Sequence, residues 1–263
     1  MRTKKNSISV IIPTRKRLKL LKNTLRSVIN QSTLPEQIIV IDDASENKVK
    51  RYINILKSKY RKINFKYVQR KNYYEGSSPA SINLGFKYCS SEYLAIIDDD
   101  DTWHKNYLDA CIKRMTNSSS KLIVSPLLHV KNKKIKIGKK IPIEFKLQDW
   151  LTFNPGLICS NIFINRNVFK KLNLLDEKLI YSADRDLMIR FSLSNYKYSI
   201  LNKPMVFYNI DNHPSKSKKF IRYLKSNLRF YKKYFFLMNL SSHFVNLRKL
   251  LTFSLIYLFN YMR

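Results

Sequence analysis

The apolar positions of this chain change period along its length, and the changes mark its elements. Ser9–Ile12 (SVII), stopped by Pro13, and the run LPEQIIVIDD, which ends on Asp42 and Asp43, are β-branched stretches with no polar alternation, the pattern of strands buried on both faces. Between them Leu18, Leu21, Leu25, Val28 and Ile29 recur at helical spacing, with Lys and Arg in the gaps. Strand, helix and strand therefore follow one another. Val49, Tyr52, Ile53, Leu56 and Tyr60 repeat the helical pattern and Asn64–Val68 (NFKYV) the strand pattern. A third helix is predicted from about Ser78 to Tyr88, feeding a strand at YLAII.

Strands that alternate with helices and lack a polar face predict an α/β fold, with a mostly parallel central sheet covered by helices on both sides. In such sheets ligands bind beyond the carboxyl ends of the strands. From about Leu122 to Tyr208 the reading is mixed: strands near KLIVS, LICSNIFI and SILNKPMVFY, and a helix from Asp184 to about Leu193.

Composition adjusts this picture at three points. A hydrophobic fraction of 44% supports a real core despite a formal net charge of +32. Cys89, Cys111 and Cys159 are odd in number and widely spaced, which argues against a disulfide framework or thiolate zinc site and fits a reducing cytoplasm. The apolar run before Pro13 is too short for a signal peptide, and Leu251–Phe259 falls short of the ~20 residues of a spanning helix. So basic a chain needs an anionic partner: nucleic acid, a membrane surface or a phosphorylated substrate. No Asp or Glu follows Asp211, while basic residues continue to Arg263.

The scarce carboxylates are concentrated. Asp98–Asp101 directly follow the YLAII strand, and Asp42 and Asp43 end another, so both clusters are expected in one crevice. If strand geometry persists, Asp98 and Asp100 point to one side and Asp99 away. Such oxygens suit Mg²⁺ or Mn²⁺, which take one or two carboxylates together with substrate phosphate oxygens; the alternative is a solvated acidic turn.

Four stretches, PTRKR (Pro13–Arg17), IIVIDDAS, SINLGFKYCSSEYLAIIDDDDTW and LLDEKLIYSADRDLMIRF, stand in this order. Together they resemble the motif series of the family 2 glycosyltransferases, inverting enzymes of the glycosyltransferase-A fold, over roughly residues 7–213. The resemblance implies a catalytic domain at 1–213, with a nucleotide-binding half at about 7–103 and an acceptor-binding half at about 104–213. Residues 214–263 read as a basic helical tail. In the resemblance Pro13, Thr14 and Arg17 line the nucleotide pocket, Asp43 accepts the uracil N3–H, Asp42 shapes its turn and Asn83 stays near the nucleotide. Asp100 corresponds to the principal metal ligand, Asp98 to a ligand of the metal or ribose, and His213 to a metal or phosphate ligand on a loop. Asp184 corresponds to the general base, with Arg190 six residues later. Asp101, Trp103, Asp186 and Arg190 are expected around the donor sugar and acceptor. Ala183 and Ile82 depart from the pattern, replacing a usual acid and a frequent Arg.

The implied cofactor is Mn²⁺ or Mg²⁺. The implied partners are a nucleotide sugar, with UDP expected, and a glycan or glycolipid acceptor of the cell envelope: lipooligosaccharide, O-antigen, capsule or lipid-linked oligosaccharide. In the tail, Arg222, Lys225, Arg229, Lys232 and Lys233 share one helical face opposite Phe220, Leu224, Leu228, Tyr231 and Phe235. That pattern, with a second segment at about Val245–Met262, is expected to meet an anionic membrane from the cytoplasmic side; an ordinary helix pair packed on the domain is the alternative. Two rival classes remain: a nucleic-acid-binding protein, and a metal-dependent nuclease or nucleotidyltransferase. The first lacks any zinc-finger, RNP-like or helix-turn-helix signature and its aspartates would repel phosphate. The second does not explain Asp184 ahead of its helix. No nucleic-acid partner is expected.

Overall fold

A computed structural model describes residues 5–70, 77–144, 146–212 and 220–261. Strands β1 (Ile8–Thr14), β2 (Gln37–Asp42), β3 (Asn64–Gln69) and β4 (Tyr93–Ile96) alternate with helices α1 (Leu18–Ile29), α2 (Asn47–Lys59) and α3 (Ser78–Phe86). Each lies within a few residues of where the hydrophobic pattern puts it. β1 pairs in parallel with β2 on one side and with β4 on the other, and β2 with β3. The chain thus builds outward from β1 in one direction and then jumps to its other flank, so the crevice beyond β1 and β4 is a topological switch point.

The apolar strands are explained by two cores. Ile8, Val10 and Ile12 of β1, with Ile38 and Val40 of β2, face α1, α2 and a further helix, α4 (Tyr107–Thr116). Ile11, Ile39 and Ile41 face the other way, toward α3. Successive side chains of a strand point to opposite faces, so no polar face remains. On that second side Gly85 lets α3 close on the sheet: a Cβ there would stand 2.8 Å from Ile11 Cγ2.

The second half is less regular. It comprises β5 (Thr102–Trp103), β6 (Leu122–Val124), β7 (Leu127–Lys131), β8 (Lys134–Ile137), α5 (Leu147–Thr152), β9 (Ile162–Asn165), α6 (Arg166–Lys171), α7 (Ala183–Ser192), β10 (Tyr198–Ile200) and β11 (Val206–Asn209). The seven-stranded sheet runs β10-β6-β9-β4-β1-β2-β3, with β9 antiparallel to both neighbours. A smaller sheet, β5-β11-β7-β8, stands beside the aspartate turn. The stretch read as one strand, SILNKPMVFY, divides around Pro204 into β10 and β11, which belong to different sheets. Proline cannot donate to a ladder, which is why the run breaks there. LICSNIFI likewise opens with a 3-10 turn, Cys159–Asn161, before β9 begins.

Two further helices, α8 (Phe220–Tyr234) and α9 (Leu240–Tyr261), complete the described chain. Phe230, Tyr234 and Met238 join the core on the α3 and α7 side. Of the apolar positions expected on one face of α8, Leu228 and Phe235 are exposed, and Ser226, Phe230 and Tyr234 point inward. Phe220 is helical, but its side chain lies outside the described residues.

Candidate active site

β4 ends at Ile96, and the four aspartates form a turn, not an extension of the strand; the Asp101 amide donates to the Asp98 carbonyl at 3.2 Å. Asp99, expected to face away, is instead fully buried. It accepts from Thr14 Oγ1 at 2.6 Å and from Arg17 Nε at 3.2 Å, and the Arg17 guanidinium also pairs with it through Nη2. Arg17 Nη1 reaches Asp100 at 2.8 Å. The turn is fastened from distant elements. Thr24 Oγ1 donates to the Asp101 carbonyl, the Asp98 amide donates to Ser160 Oγ, and Ser78 Oγ approaches Asp98. The Asn209 amide donates to Asp101 Oδ1 at 3.0 Å, and Asn209 Nδ2 to the Asp100 carbonyl at 2.6 Å.

This crowding raises proton affinity. Burial, then repulsion from Asp100 and Asp99, pushes the partly exposed Asp98 carboxyl up to about 7. Burial outweighs Arg17 and Thr14 at Asp99, which is pushed up to about 6, and burial holds Asp101 well above the usual carboxylate range. Asp100 Oδ1 is buried with no donor among the described residues. An orphaned carboxylate oxygen beside carboxyls short of counter-charge fits a hard divalent cation, which Asp98 and Asp100 would hold. Among the described residues no three His, Cys, Asp or Glu side chains enclose such an ion; His213 lies outside them.

Asp42, at the end of β2, is a turn residue as expected. Its carboxylate accepts the amides of Ala44, Ser45 and Glu46 at 2.8–3.1 Å and the Tyr67 hydroxyl at 2.9 Å. Asp43 holds the start of α3 and Arg70: it accepts from the Ser77 amide, Ser81 Oγ and Arg70 Nη1 at 2.6–2.9 Å. Both its oxygens are engaged here. Pro13 and Thr14 close β1 at the same crevice. Asn83 is a correction. Its side chain donates to the Leu175 carbonyl and Glu177 and accepts the Leu175 amide. Two residues past Ser81 is about 200° round the helix, so Asn83 faces the loop before α7 and not the nucleotide side.

Asp184 lies in the first turn of α7, partly exposed, and Ser182 occupies the cap position without a side-chain bond. The Asp184 carboxylate accepts the Arg185 amide at 2.7 Å, and Asn154 Nδ2 stands at 3.4 Å. Burial pushes it up to about 6, against the pull of that amide and the Arg185 charge. Its charge is felt at Asp98. Tyr208 feels Asp101, Asp98, Asp100 and Asp184 alike, its hydroxyl pushed up by burial and by all four. The candidate base therefore lies near enough to the aspartate turn for its charge to reach Asp98 and Tyr208.

Asp186 and Arg190, expected at the acceptor, are placed elsewhere. Asp186 is fully buried and accepts from Arg190 Nε and Nη2, from the Tyr234 hydroxyl at 2.6 Å and from Lys233 Nζ at 2.7 Å. Arg190 also donates to the Leu174 carbonyl. The helical turn of about 200° between positions 184 and 186 separates the two acids. Trp103 is a core residue, buried against Tyr107 with Nε1 on the Ser160 carbonyl at 2.8 Å. The departures Ile82 and Ala183 are both buried in the core, where an Arg or an acid would be costly. Thr24, Ser160, Tyr208 and Asn209 near the turn, and Asn154 beside Asp184, escaped the sequence reading, because only tertiary pairing brings them there.

A mostly parallel sheet flanked by helices, with an acidic turn beyond its switch point, is the architecture of the glycosyltransferase-A fold. Residues 9–173 match Glycosyl transferase family 2, and the chain belongs to that family and is a glycosyltransferase. An uncharacterized glycosyltransferase of Methanocaldococcus jannaschii is 28% identical over 214 residues, 76% of this chain and 70% of its own length. The poly(ribitol-phosphate) beta-N-acetylglucosaminyltransferase TarP of Staphylococcus aureus is 26% identical over 204 residues, 73% of this chain and 59% of its own. The crystal structure of S. aureus TarS 1-349 in complex with UDP-GlcNAc shares the fold, with a TM-score of 0.64 at 17% identity over 85% of this chain and 65% of that one. The chain spans less than two thirds of either staphylococcal protein.

Proposed function

We propose that this chain transfers a sugar, with inversion, from a UDP-sugar to a hydroxyl of a cell-envelope glycan presented at the inner face of the cytoplasmic membrane. The observation that carries the reading is Asp184, partly exposed in the first turn of α7, its carboxyl pushed up to about 6 by burial and its charge reaching Asp98. A base in that range is ionised near neutral pH yet keeps affinity for a proton. Asp184 takes the proton of the acceptor hydroxyl as that oxygen bonds to the anomeric carbon. The bond from that carbon to the diphosphate breaks on the opposite face, with its electron pair leaving on the phosphate oxygen. One displacement inverts the centre.

Asp98 and Asp100 would hold Mn²⁺ or Mg²⁺, which when bound supplies Lewis-acid stabilisation of the departing diphosphate. Thr14 and Arg17 keep the turn in shape, and Asp42 and Asp43 order the loop ends on the nucleotide side. The uridine donor is supported by the UDP-GlcNAc bound to TarS, and an envelope acceptor by the poly(ribitol-phosphate) in the name of TarP.

A panel of UDP-sugars with Mn²⁺, scored for release of UDP, tests reaction class and donor together. Asp184→Asn is expected to keep UDP binding, measured by calorimetry, and to lower turnover about 10³-fold. Near-normal turnover in that variant would remove Asp184 as the base.

A further inference from the structure

We propose that α9 and the turn before it form a docking surface for an anionic phospholipid bilayer. The inference deepens the proposed membrane-side placement and is independent of the transfer reaction.

Helices α8 and α9 lie antiparallel, Tyr223 meeting Phe253 and Tyr231 meeting His243. α9 carries large apolar side chains on the side away from the domain as well as toward it. Its inward side mixes Phe253, packed on Tyr223, with polar contacts: Ser242 bonds Gln148 and Thr152, Asn246 Nδ2 donates to the Leu151 carbonyl at 2.8 Å, and Lys249 Nζ to the Thr152 carbonyl at 3.0 Å. Its outward side carries Leu240, Phe244, Leu247, Leu251 and Leu255, all exposed. Those positions fall within about 80° of arc at 100° per residue, so they form one stripe. Leu240 is 89% exposed and Phe244 68%, and in the turn between the helices Phe236 is 96% exposed. A soluble helix places its apolar stripe on the core and its polar residues in water. A continuous exposed row of large apolar side chains marks an interaction surface.

Charge selects the occupant. Arg248 is exposed beside the stripe, and Lys225, Arg229 and Lys232 are exposed on α8. No carboxylate follows Asp211 to offset them. Against a second copy docked through this same face, like charges would be brought together, because neither α8 nor α9 carries an Asp or Glu. Against an anionic bilayer, the apolar stripe enters the acyl boundary while the cations meet lipid phosphates. The geometry is that of a helix lying in the interface: among the described residues, no helix is long and apolar enough to cross a membrane.

Removing the tail is not a clean test, because Phe230 and Tyr234 belong to the core. Surface substitution is. The full chain carrying Phe236→Ser, Leu240→Ser, Phe244→Ser and Leu251→Ser is compared with the parent by flotation with vesicles, and its circular dichroism and Tm show whether the fold survives. Vesicles of phosphatidylcholine with phosphatidylglycerol are expected to bind the parent, and the variant about tenfold or more weakly. Lys225→Gln with Arg229→Gln and Lys232→Gln is expected to weaken binding to the anionic vesicles and to flatten its salt dependence. Vesicle binding unchanged in the apolar variant overturns the proposal, as does a parent dimer that this variant dissolves without any vesicle binding by the parent. No nucleotide sugar enters the assay, so its result stands apart from the proposed chemistry.

Discussion

Arg17 carries the charge balance of the aspartate turn. Its guanidinium spans Asp99 and Asp100, and around it Asp98, Asp99 and Asp101 are all held above the usual carboxylate range. Arg17→Gln leaves that group without its cation. Because the guanidinium is partly exposed, water softens the loss, to about 1–2 kcal/mol, or about 2–6 °C in Tm for a chain of this size. Mn²⁺ is expected to raise the Tm of this variant more than that of the parent, since the ion replaces the missing charge; equal shifts would show that Arg17 is not the resting counter-ion. The sequence located these residues but misread one of them. Period-2 reasoning set Asp99 aside as spacing, and it failed because the chain turns at Asp98, after which every orientation is set by side-chain bonds such as Thr14 to Asp99.

At the scale of elements, the first half of the fold was legible because each strand is an unbroken apolar run and each helix is long enough to repeat its period. The second half was not. α5 and α6 have six residues each, too few for a period, and the β7–β8 hairpin turns on Asn132 and Lys133, both at positive φ, without the glycine that signals such turns. Long-range polar pairing was equally invisible, as the junction of α7 with α8 shows. Tyr234 and Lys233 of α8 meet the buried Asp186, two residues from Asp184, so the tail helix braces the helix that bears the candidate base. Tyr234→Phe keeps the ring and removes the hydroxyl donated to Asp186. A cost of about 1–2 kcal/mol is expected in urea denaturation. No change would mean that Arg190 and Lys233 satisfy Asp186 without it.

For the whole molecule, a net charge of +32 and a cluster of proton-hungry aspartates oppose each other as pH changes. Raising the pH lowers the net positive charge and with it the global repulsion, which favours the folded chain. The crevice acts in the other direction. Asp98, Asp99 and Asp184 are held up at about 7, 6 and 6 in the folded protein, against 3.8 when free of these surroundings. Between those values the folded state binds more protons than the unfolded one, so the stability they contribute is complete at low pH and is lost as pH rises through about 6 to 7. The local effect is expected to win: in EDTA the Tm falls across this window. Mn²⁺ is expected to recover more of it at about pH 8 than at about pH 5, where protons still occupy the carboxyls. Asp98→Asn, which cannot ionise, should flatten the decline. A Tm that instead climbs steadily with pH in EDTA would show that the crevice carboxyls ionise freely and that the global charge governs.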